Sequence, residues 1–272
     1  MCQLFITLDT NNASILLEKF FRLSNSKPLT DGYGIITKNK SDWQVNKSIK
    51  PPYIDDSYNK ILNSNFIIAH LRQIYKENMT NNAIQKETII QNTHPFVYRN
   101  IYFMHHGDLF IENSNIIKRF QQYYREPVFQ NIINNVHDSF SNKIVNNISG
   151  NTDSEFIFHI FLQFLHNKDA NMNIRYNMLS SFKQTIEYIT NLGFQNASNF
   201  VIVQDNFILF SNIYKNNTAK YIHSPKLYMN ENKEPNNYNL TVCSSKIVPG
   251  TIQIKQNSVY IYNIISKKLV EY

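Results

Sequence analysis

Cys2, directly behind Met1, offers the most distinctive chemistry in the chain. With Met1 removed it carries a thiol and a free α-amine on one residue. An α-amine titrates near about 7.7–8.0 and a thiol near about 8.5. The amine can therefore take the thiol's proton, so that nucleophile and base coincide. Other residues have the types a substrate site would need. Arg72 closes the apolar run Phe66-Ile67-Ile68-Ala69-His70-Leu71-Arg72. Charge is rarely buried unpaired, and a guanidinium grips a carboxylate through two parallel bonds; a surface arginine just past a strand reads the same way. Asp153, in Asp153-Ser154-Glu155, reads by itself as a helix cap, in a first turn carrying the carboxylates that the helix dipole favours. Thr93 and His94 stand in Asn92-Thr93-His94-Pro95-Phe96, where polar groups precede a proline and an apolar segment. The pair His105-His106, followed by Gly107, invites a metal reading. Adjacent strand residues point to opposite faces, however, so the two rings do not serve one ion. Cys2 and Cys243 give neither metal-ligand spacing nor a disulfide framework. No metal and no cofactor is expected.

These residues need elements to position them. Met1 to Leu8 opens an apolar run that reads as a buried strand, followed by a helix over 14–23. Asp31-Gly32-Tyr33-Gly34 reads as a tight turn, or else as backbone that must lie close to something in a site. A strand is expected over 43–49, ended by Pro51-Pro52, then a short helix over 56–62 and a central strand over 66–72. Residues 73–91 read as polar loop, and 101–104 as a buried strand ending at His105. Helical patterning covers 114–147 in pieces broken near Pro127, then 156–165 and 180–192, the last ended by Gly193. Further strands are expected at 200–203, 207–210, 221–223, 240–244, 251–254 and 259–264, with 230–239 the most loop-like stretch. Strands at both ends with helices between them predict a single α+β domain over 1–272, its largely antiparallel sheets covered by helices.

The composition is globular: of 272 residues, 14% are aromatic and 17% charged. The excess of Asn, Ile, Lys and Tyr matches AT-rich codons and carries no functional meaning of its own. A net charge of +7 is spread along the chain with no run of five or six basic residues, so nucleic-acid binding gains no support. No stretch approaches about 18 consecutive apolar residues, and the N-terminus lacks a charged region followed by a long apolar core. A soluble, cytoplasmic protein with no membrane association is the expectation.

In order, the landmarks resemble those of class II glutamine amidotransferases, within them the stand-alone group similar to the ergothioneine-pathway and glutathione-degradation amidohydrolases. Met1-Cys2 stands at the terminus, Asp31-Gly32-Tyr33-Gly34-Ile35 for DGWGI, and Ala69-His70-Leu71-Arg72 for AHVR. Asn92 to Phe96 stands for N-[CT]-HPF, His105-His106-Gly107 for HNG, and Gly150 to Glu155 for GTTDSE. Cys243-Ser244-Ser245-Lys246 takes the place of an ASEP-like strand, and Val248-Pro249-Gly250 lies near a VP-containing segment. The resemblance implies an N-terminal-nucleophile hydrolase fold, a four-layer αββα sandwich. It implies that the Cys2 thiolate attacks a γ-carboxamide, its α-amine moves the proton, and a γ-glutamyl thioester forms before water resolves it. It assigns Arg72 to the substrate α-carboxylate, Asp153 to the α-ammonium, and Thr93 and His94 to the glutamyl pocket. The Asp31–Gly34 turn would pack behind the nucleophile. Position 106 departs from the pattern. There the resemblance implies an asparagine that forms the oxyanion hole with the Gly107 N–H, and His106 replaces it. Losing one such donor typically costs about 10²–10³ in rate, whereas an imidazole N–H can also donate. An active amidohydrolase and a catalytically impaired γ-glutamyl-ligand-binding or regulatory protein both fit this departure. With no synthase-like segment following, ammonia transfer would need a separate acceptor or synthase subunit.

Overall fold

In chain order the strands are β1 (Gln3–Leu8), β2 (Tyr33–Asn39), β3 (Asp42–Ser48), β4 (Phe66–Leu71), β5 (Phe96–Tyr98), β6 (Ile101–Asn113) and β7 (Ile116–Arg119). They continue as β8 (Gln195–Gln204), β9 (Phe207–Lys215), β10 (Tyr228–Glu234), β11 (Asn237–Cys243), β12 (Ile252–Gln253), β13 (Ser258–Asn263) and β14 (Lys268–Glu271). The helices are α1 (Ala13–Ser26), α2 (Asn81–Glu87), α3 (Phe120–Tyr123), α4 (Pro127–Asp138), α5 (Asn142–Val145), α6 (Asp153–His166) and α7 (Ile174–Asn191). The computed structural model describes residues 2–8, 12–26, 29, 31–39, 42–61, 64–74, 76, 80–113, 116–169, 172–215, 225–234 and 237–272.

The strands form two sheets. The first runs β12-β10-β11-β1-β4-β2-β3 and the second β14-β13-β9-β8-β6-β5, with β7 paired to β6. Every pairing among the described residues is antiparallel. β1 lies between β11 and β4 and is buried along its whole length, which explains its continuous apolar run. Its alternate residues serve two cores. Leu4, Ile6 and Leu8 join Ile68, Met104, Val201 and Phe210 between the sheets, while Phe5 packs with Leu17 and Phe20 of α1 on the outer face. On the far side Phe103, Phe200 and Ile202 of the second sheet pack against Phe158 and Phe161 of α6 and Met178 and Phe182 of α7. The layers are therefore helix, sheet, sheet, helix. Ten consecutive residues of α6, Asp153 to Leu162, are buried, as expected of a helix apolar nearly all round. Each fully buried Phe or Leu there contributes about 1.5–3 kcal/mol of transfer free energy. Central strands β1 and β6 approach within 8 Å between Cα atoms, so the site lies where the sheets meet. Among the described residues no helix is long and apolar enough to cross a membrane.

Several expectations are corrected. Residues 73–91 contain the helix α2, and the expected helix from 114 begins instead as strand β7; Ser114 and Asn115 lie outside the described residues. The strand from Ile101 does not end at His105 but runs to Asn113, because β8 continues to pair with it through Phe110. The stretch 230–239 is mostly a β10–β11 hairpin, since neighbouring strands supply the pairing that its polar composition conceals. The 221–223 strand lies outside the described residues. Strand β14 carried too little alternation to be expected.

Candidate functional site

Cys2 immediately precedes β1 and shares the parity of Leu4 and Ile6, the face turned to the second sheet. Its sulfur accepts the Gln73 N–H at 3.3 Å, and its thiol donates to the Gln73 carbonyl at 3.5 Å, just past the end of β4. Burial pushes the thiol up; the Gln73 contact and the Arg72 charge act against it, and Asp108 adds to it. Behind Cys2, Ser244 and Ser245 both donate to Gln3 Oε1, at 3.0 and 2.5 Å, and the Leu4 N–H donates to Ser244 Oγ at 2.8 Å. The Cys243–Lys246 segment thus clamps the start of β1.

On β4, His70 lies opposite Leu4 and Gly34, and Arg72 follows on the same face. Arg72 is 4% exposed. Its Nη2 donates to the Glu87 carbonyl at the end of α2, at 3.0 Å, while Nη1 is buried without a hydrogen-bond partner among the described residues. Cys2, Glu87, Asp31 and Asp153 all lie within electrostatic reach of this guanidinium, whose pKa burial lowers. A buried charged donor left unmade costs on the order of 1–3 kcal/mol or more, so Nη1 is a ready seat for an anion. Asp31, in the turn before β2, accepts the Ile74 N–H at 2.8 Å and pairs with Lys76.

Gly34 shows why the glycine-rich turn matters. A Cβ there would stand 1.7 Å from the His94 carbonyl oxygen. The backbone of Thr93 and His94 therefore lies directly on β2, and Gly34, inside the strand, serves close approach, while Gly32 supplies the turn at φ +118°. Thr93 is buried and donates to the Ile89 carbonyl at 3.3 Å. The His94 ring lies 4.0 Å from that of His70, centroid to centroid. No ring nitrogen of either makes a well-formed hydrogen bond among the described residues, although His70 faces the His105 backbone. Burial lowers His70 to about 3 and holds His94 well below the ordinary imidazole value.

The His105–Gly107 stretch lies within β6, where pairing is one-sided. β5 reaches only to Phe103 and β7 begins opposite Phe110, so between them β6 is paired only to β8. The Leu109 N–H turns away from β8 and donates to Asp153 Oδ2 at 3.1 Å. Strand periodicity then directs the Gly107 N–H into the same gap. A Cβ on Gly107 would collide with Ser198 and with the Ala197 carbonyl. The two histidines part as expected: His105 lies between Ser154 Oγ at 2.8 Å and Ser198 Oγ at 2.6 Å, whereas His106 faces the first sheet with Asp108. Asp108 pairs with Arg119.

Asp153 opens α6, but the N-cap is Thr152, whose hydroxyl accepts the Glu155 N–H at 3.1 Å. The Asp153 carboxylate is left to join the helix start to β6, accepting the Ser154 N–H at 2.7 Å besides Leu109. Asn92 donates to Asn151 Oδ1 at 2.9 Å and accepts the Asn151 N–H at 3.1 Å. This clasp ties the Thr93–His94 segment to the Thr152–Asp153 segment. The structure thus brings Cys2 and Asp153 within electrostatic reach of Arg72 and ties the Thr93–His94 segment to the head of α6, while His106 and Gly107 lie on β6, the strand of the second sheet that approaches β1. Sequence reasoning missed Gln73, Glu87, Asp108, Asn199 and Asn212. The two asparagines sit at inward positions of alternating strands, a detectable signal that an Asn-rich chain obscures.

No family profile and no curated protein sequence matches the chain. Among solved structures it is similar to a glutamine aminotransferase class-II domain protein from Silicibacter pomeroyi, with a TM-score of 0.60 at 11% identity over 100% of this chain and 98% of that one. It is similar to glutamine phosphoribosylpyrophosphate amidotransferase from B. subtilis at a TM-score of 0.60 and 12% identity, covering 100% of this chain but only 49% of that one. A predicted glutamine amidotransferase from Pseudomonas aeruginosa gives a TM-score of 0.53 and 11% identity over 99% and 95% of the two chains. The chain thus shares its two-sheet α+β fold with solved structures of glutamine amidotransferases, one of them a class-II domain protein. A shared fold leaves activity to be argued from the site.

Proposed function

We propose that the chain is an amidohydrolase that cleaves the γ-amide of glutamine or of a γ-glutamyl compound through a Cys2 thioester. The observation that carries this reading is the unpartnered Arg72 Nη1 beside Cys2, with the Asp153 carboxylate within the same electrostatic reach. A cation, an anion and a thiol in one place suit a zwitterionic amino-acid end with a reacting amide beyond it.

After loss of Met1, the free α-amine of Cys2 takes the thiol proton and the sulfur forms a bond to the γ-carbonyl carbon. The carbonyl oxygen becomes an oxyanion that the Gly107 N–H and the His106 ring stabilise. The amine returns its proton to the leaving nitrogen, the C–N bond breaks, and ammonia or an amine departs. Water then attacks the thioester carbonyl as the amine accepts its proton, the C–S bond breaks to release the γ-carboxyl product, and the amine returns the proton to the sulfur to restore the thiol. Arg72 holds the substrate α-carboxylate, Asp153 its α-ammonium, and Thr93 and His94 line the glutamyl chain. In this reading the reaction is cytoplasmic and needs no metal, and a separate acceptor or synthase subunit is the partner proposed for the released ammonia.

His106 favours a second reading, a ligand-binding or regulatory protein that holds a γ-glutamyl group without turning it over. Steady-state assays with L-glutamine and γ-glutamyl amides, with Cys2→Ala as control and intact mass to establish removal of Met1, separate the two. Turnover lost in Cys2→Ala supports the amidohydrolase. A retained Met1, or no Cys2-dependent turnover, overturns it, and L-glutamine binding without turnover supports the second reading.

A further inference from the structure

A row of four polar side chains crosses the second sheet among apolar neighbours. His106, Asn199, Asn212 and Ser258 lie directly opposite one another on β6, β8, β9 and β13. All four are buried, on the face that carries Val201, Phe210 and Tyr260 toward the first sheet. Main-chain carbonyls orient both amides. Asn212 Nδ2 donates to the Pro225 carbonyl at 2.6 Å and to Asn199 Oδ1 at 2.7 Å. With its oxygen so engaged, Asn199 turns Nδ2 to the Lys226 carbonyl at 3.1 Å and to His106 Nδ1 at 3.4 Å. A side-chain NH₂ only donates, so Nδ1 must accept, and a neutral imidazole that accepts at Nδ1 carries its proton on Nε2.

We propose that Asn199 and Asn212 are positioning residues that fix His106 as the Nε2–H tautomer, presenting an N–H donor on the side of the ring away from β8. This deepens the reading of His106 as an oxyanion donor and rests on it. An asparagine amide offers an N–H without tautomer choice, whereas a histidine needs a neighbour to set it. Stability alone gives no reason for the row. Replacing both members of a buried hydrogen-bonded pair by apolar groups of the same shape is nearly neutral or stabilising.

Imidazole ¹⁵N–¹H NMR of the full-length protein with ¹⁵N-labelled histidine reads the tautomer directly, with His106 assigned by its absence in His106→Asn. The wild type is expected to show an unprotonated Nδ1 and a protonated Nε2 at His106. Asn199→Leu is expected to mix or reverse the tautomers and to lower kcat on L-glutamine at least about tenfold with little change in KM, the pattern of a donor needed in the transition state. Asn212→Leu, which frees the Asn199 amide to turn over, is expected to act in the same direction and provides the test if Asn199→Leu does not fold. A wild-type ring protonated at Nδ1 overturns the proposal, as do Asn199→Leu and Asn212→Leu spectra that keep the wild-type tautomer. Absence of Cys2-dependent turnover in a wild type with the expected spectrum overturns the amidohydrolase reading alone.

Discussion

Acidification separates the buried histidines from the rest of the titrating groups, and His159 gives the cleanest single measurement. It lies on α6, 1% exposed, with Nδ1 donating to the Glu155 carbonyl at 2.7 Å. Burial lowers it to about 4, as it does His105, while His70 falls to about 3. An unfolded imidazole titrates near about 6.5. Between those values the unfolded chain binds the proton and the folded chain does not, so the contribution to stability is complete above about pH 6.5 and is lost as pH falls toward the folded value. At pH 5.5 unfolded His159 is about 90% protonated and the folded ring about 3%, a difference close to 0.9 proton. One proton corresponds to about 1.4 kcal/mol per pH unit. The carboxyls of buried Glu87 and Glu155 and of half-buried Asp108 are raised by desolvation and act in the opposite sense, favouring the folded state as pH falls. The net wild-type slope mixes all of these; the difference between wild type and His159→Leu isolates one ring. Urea unfolding followed by Trp43, the one tryptophan in the sequence, from about pH 5 to 7.5 gives both slopes. The variant's slope between pH 5 and 6 is expected to be smaller by about 1.2 kcal/mol per pH unit. Parallel curves would refute the assignment of a buried, neutral His159.

Three further outcomes follow from the geometry. Gly34→Ala places a Cβ 1.7 Å from the His94 carbonyl oxygen, backbone against backbone. Its cost in urea unfolding is expected at the upper end of the roughly 1–3 kcal/mol of overpacking, and a loss below about 0.5 kcal/mol counts against the close approach. Arg72→Met removes the unpartnered Nη1; calorimetry of L-glutamine binding to Cys2→Ala and to Cys2→Ala/Arg72→Met is expected to show at least about a tenfold loss, the scale of hydrogen bonds to charged groups, and unchanged affinity rejects the carboxylate assignment. Asp108→Asn removes a negative charge that raises the Cys2 thiol. The pH profile of Cys2 alkylation by iodoacetamide is expected to move to lower pH, and a shift upward or none contradicts the placement of Asp108 beside the nucleophile.

How much of this was legible in the sequence depended on where each residue sits in its element. The α+β class with antiparallel sheets followed from apolar runs at both ends of the chain and helical patterning between them, because continuous or alternating burial leaves a pattern that tertiary context only reinforces, while the two-sheet layering came only with the family resemblance. Polar strands were not legible. Tyr228–Glu234 and Asn237–Cys243 pair with each other and with β1, and that stabilisation comes from neighbours distant in sequence. Arg72 stood out because charge next to an apolar run is anomalous, whereas Asp153 read by itself as a helix cap and gained a site role only through the family resemblance. Asn199 and Asn212 did not, since an asparagine is unremarked in a chain whose composition is rich in it, however unusual its burial.

The candidate site collects at places where backbone pairing ends. Cys2 lies just before β1 and Arg72 just after β4, where the Cys2–Gln73 contacts and the Arg72 N–H donated to the Gly32 carbonyl carry the pairing just past the strand ends. Asp153 stands at the head of α6, yet Thr152 caps the helix and Asp153 answers Leu109 of β6. The Gly107 N–H opens into the interval that neither β5 nor β7 pairs. A site built this way draws fixed donors and acceptors from groups that regular structure has already oriented but not used, which is the preorganisation that stabilising developing charge requires. His106 is the exception, because its donor is a side chain with a tautomer to choose. The Asn199–Asn212 row supplies from the neighbouring strands the orientation that backbone supplies elsewhere. If that row fails to hold the tautomer, the proposed oxyanion site keeps the Gly107 N–H alone, and losing one such donor typically costs about 10²–10³ in rate.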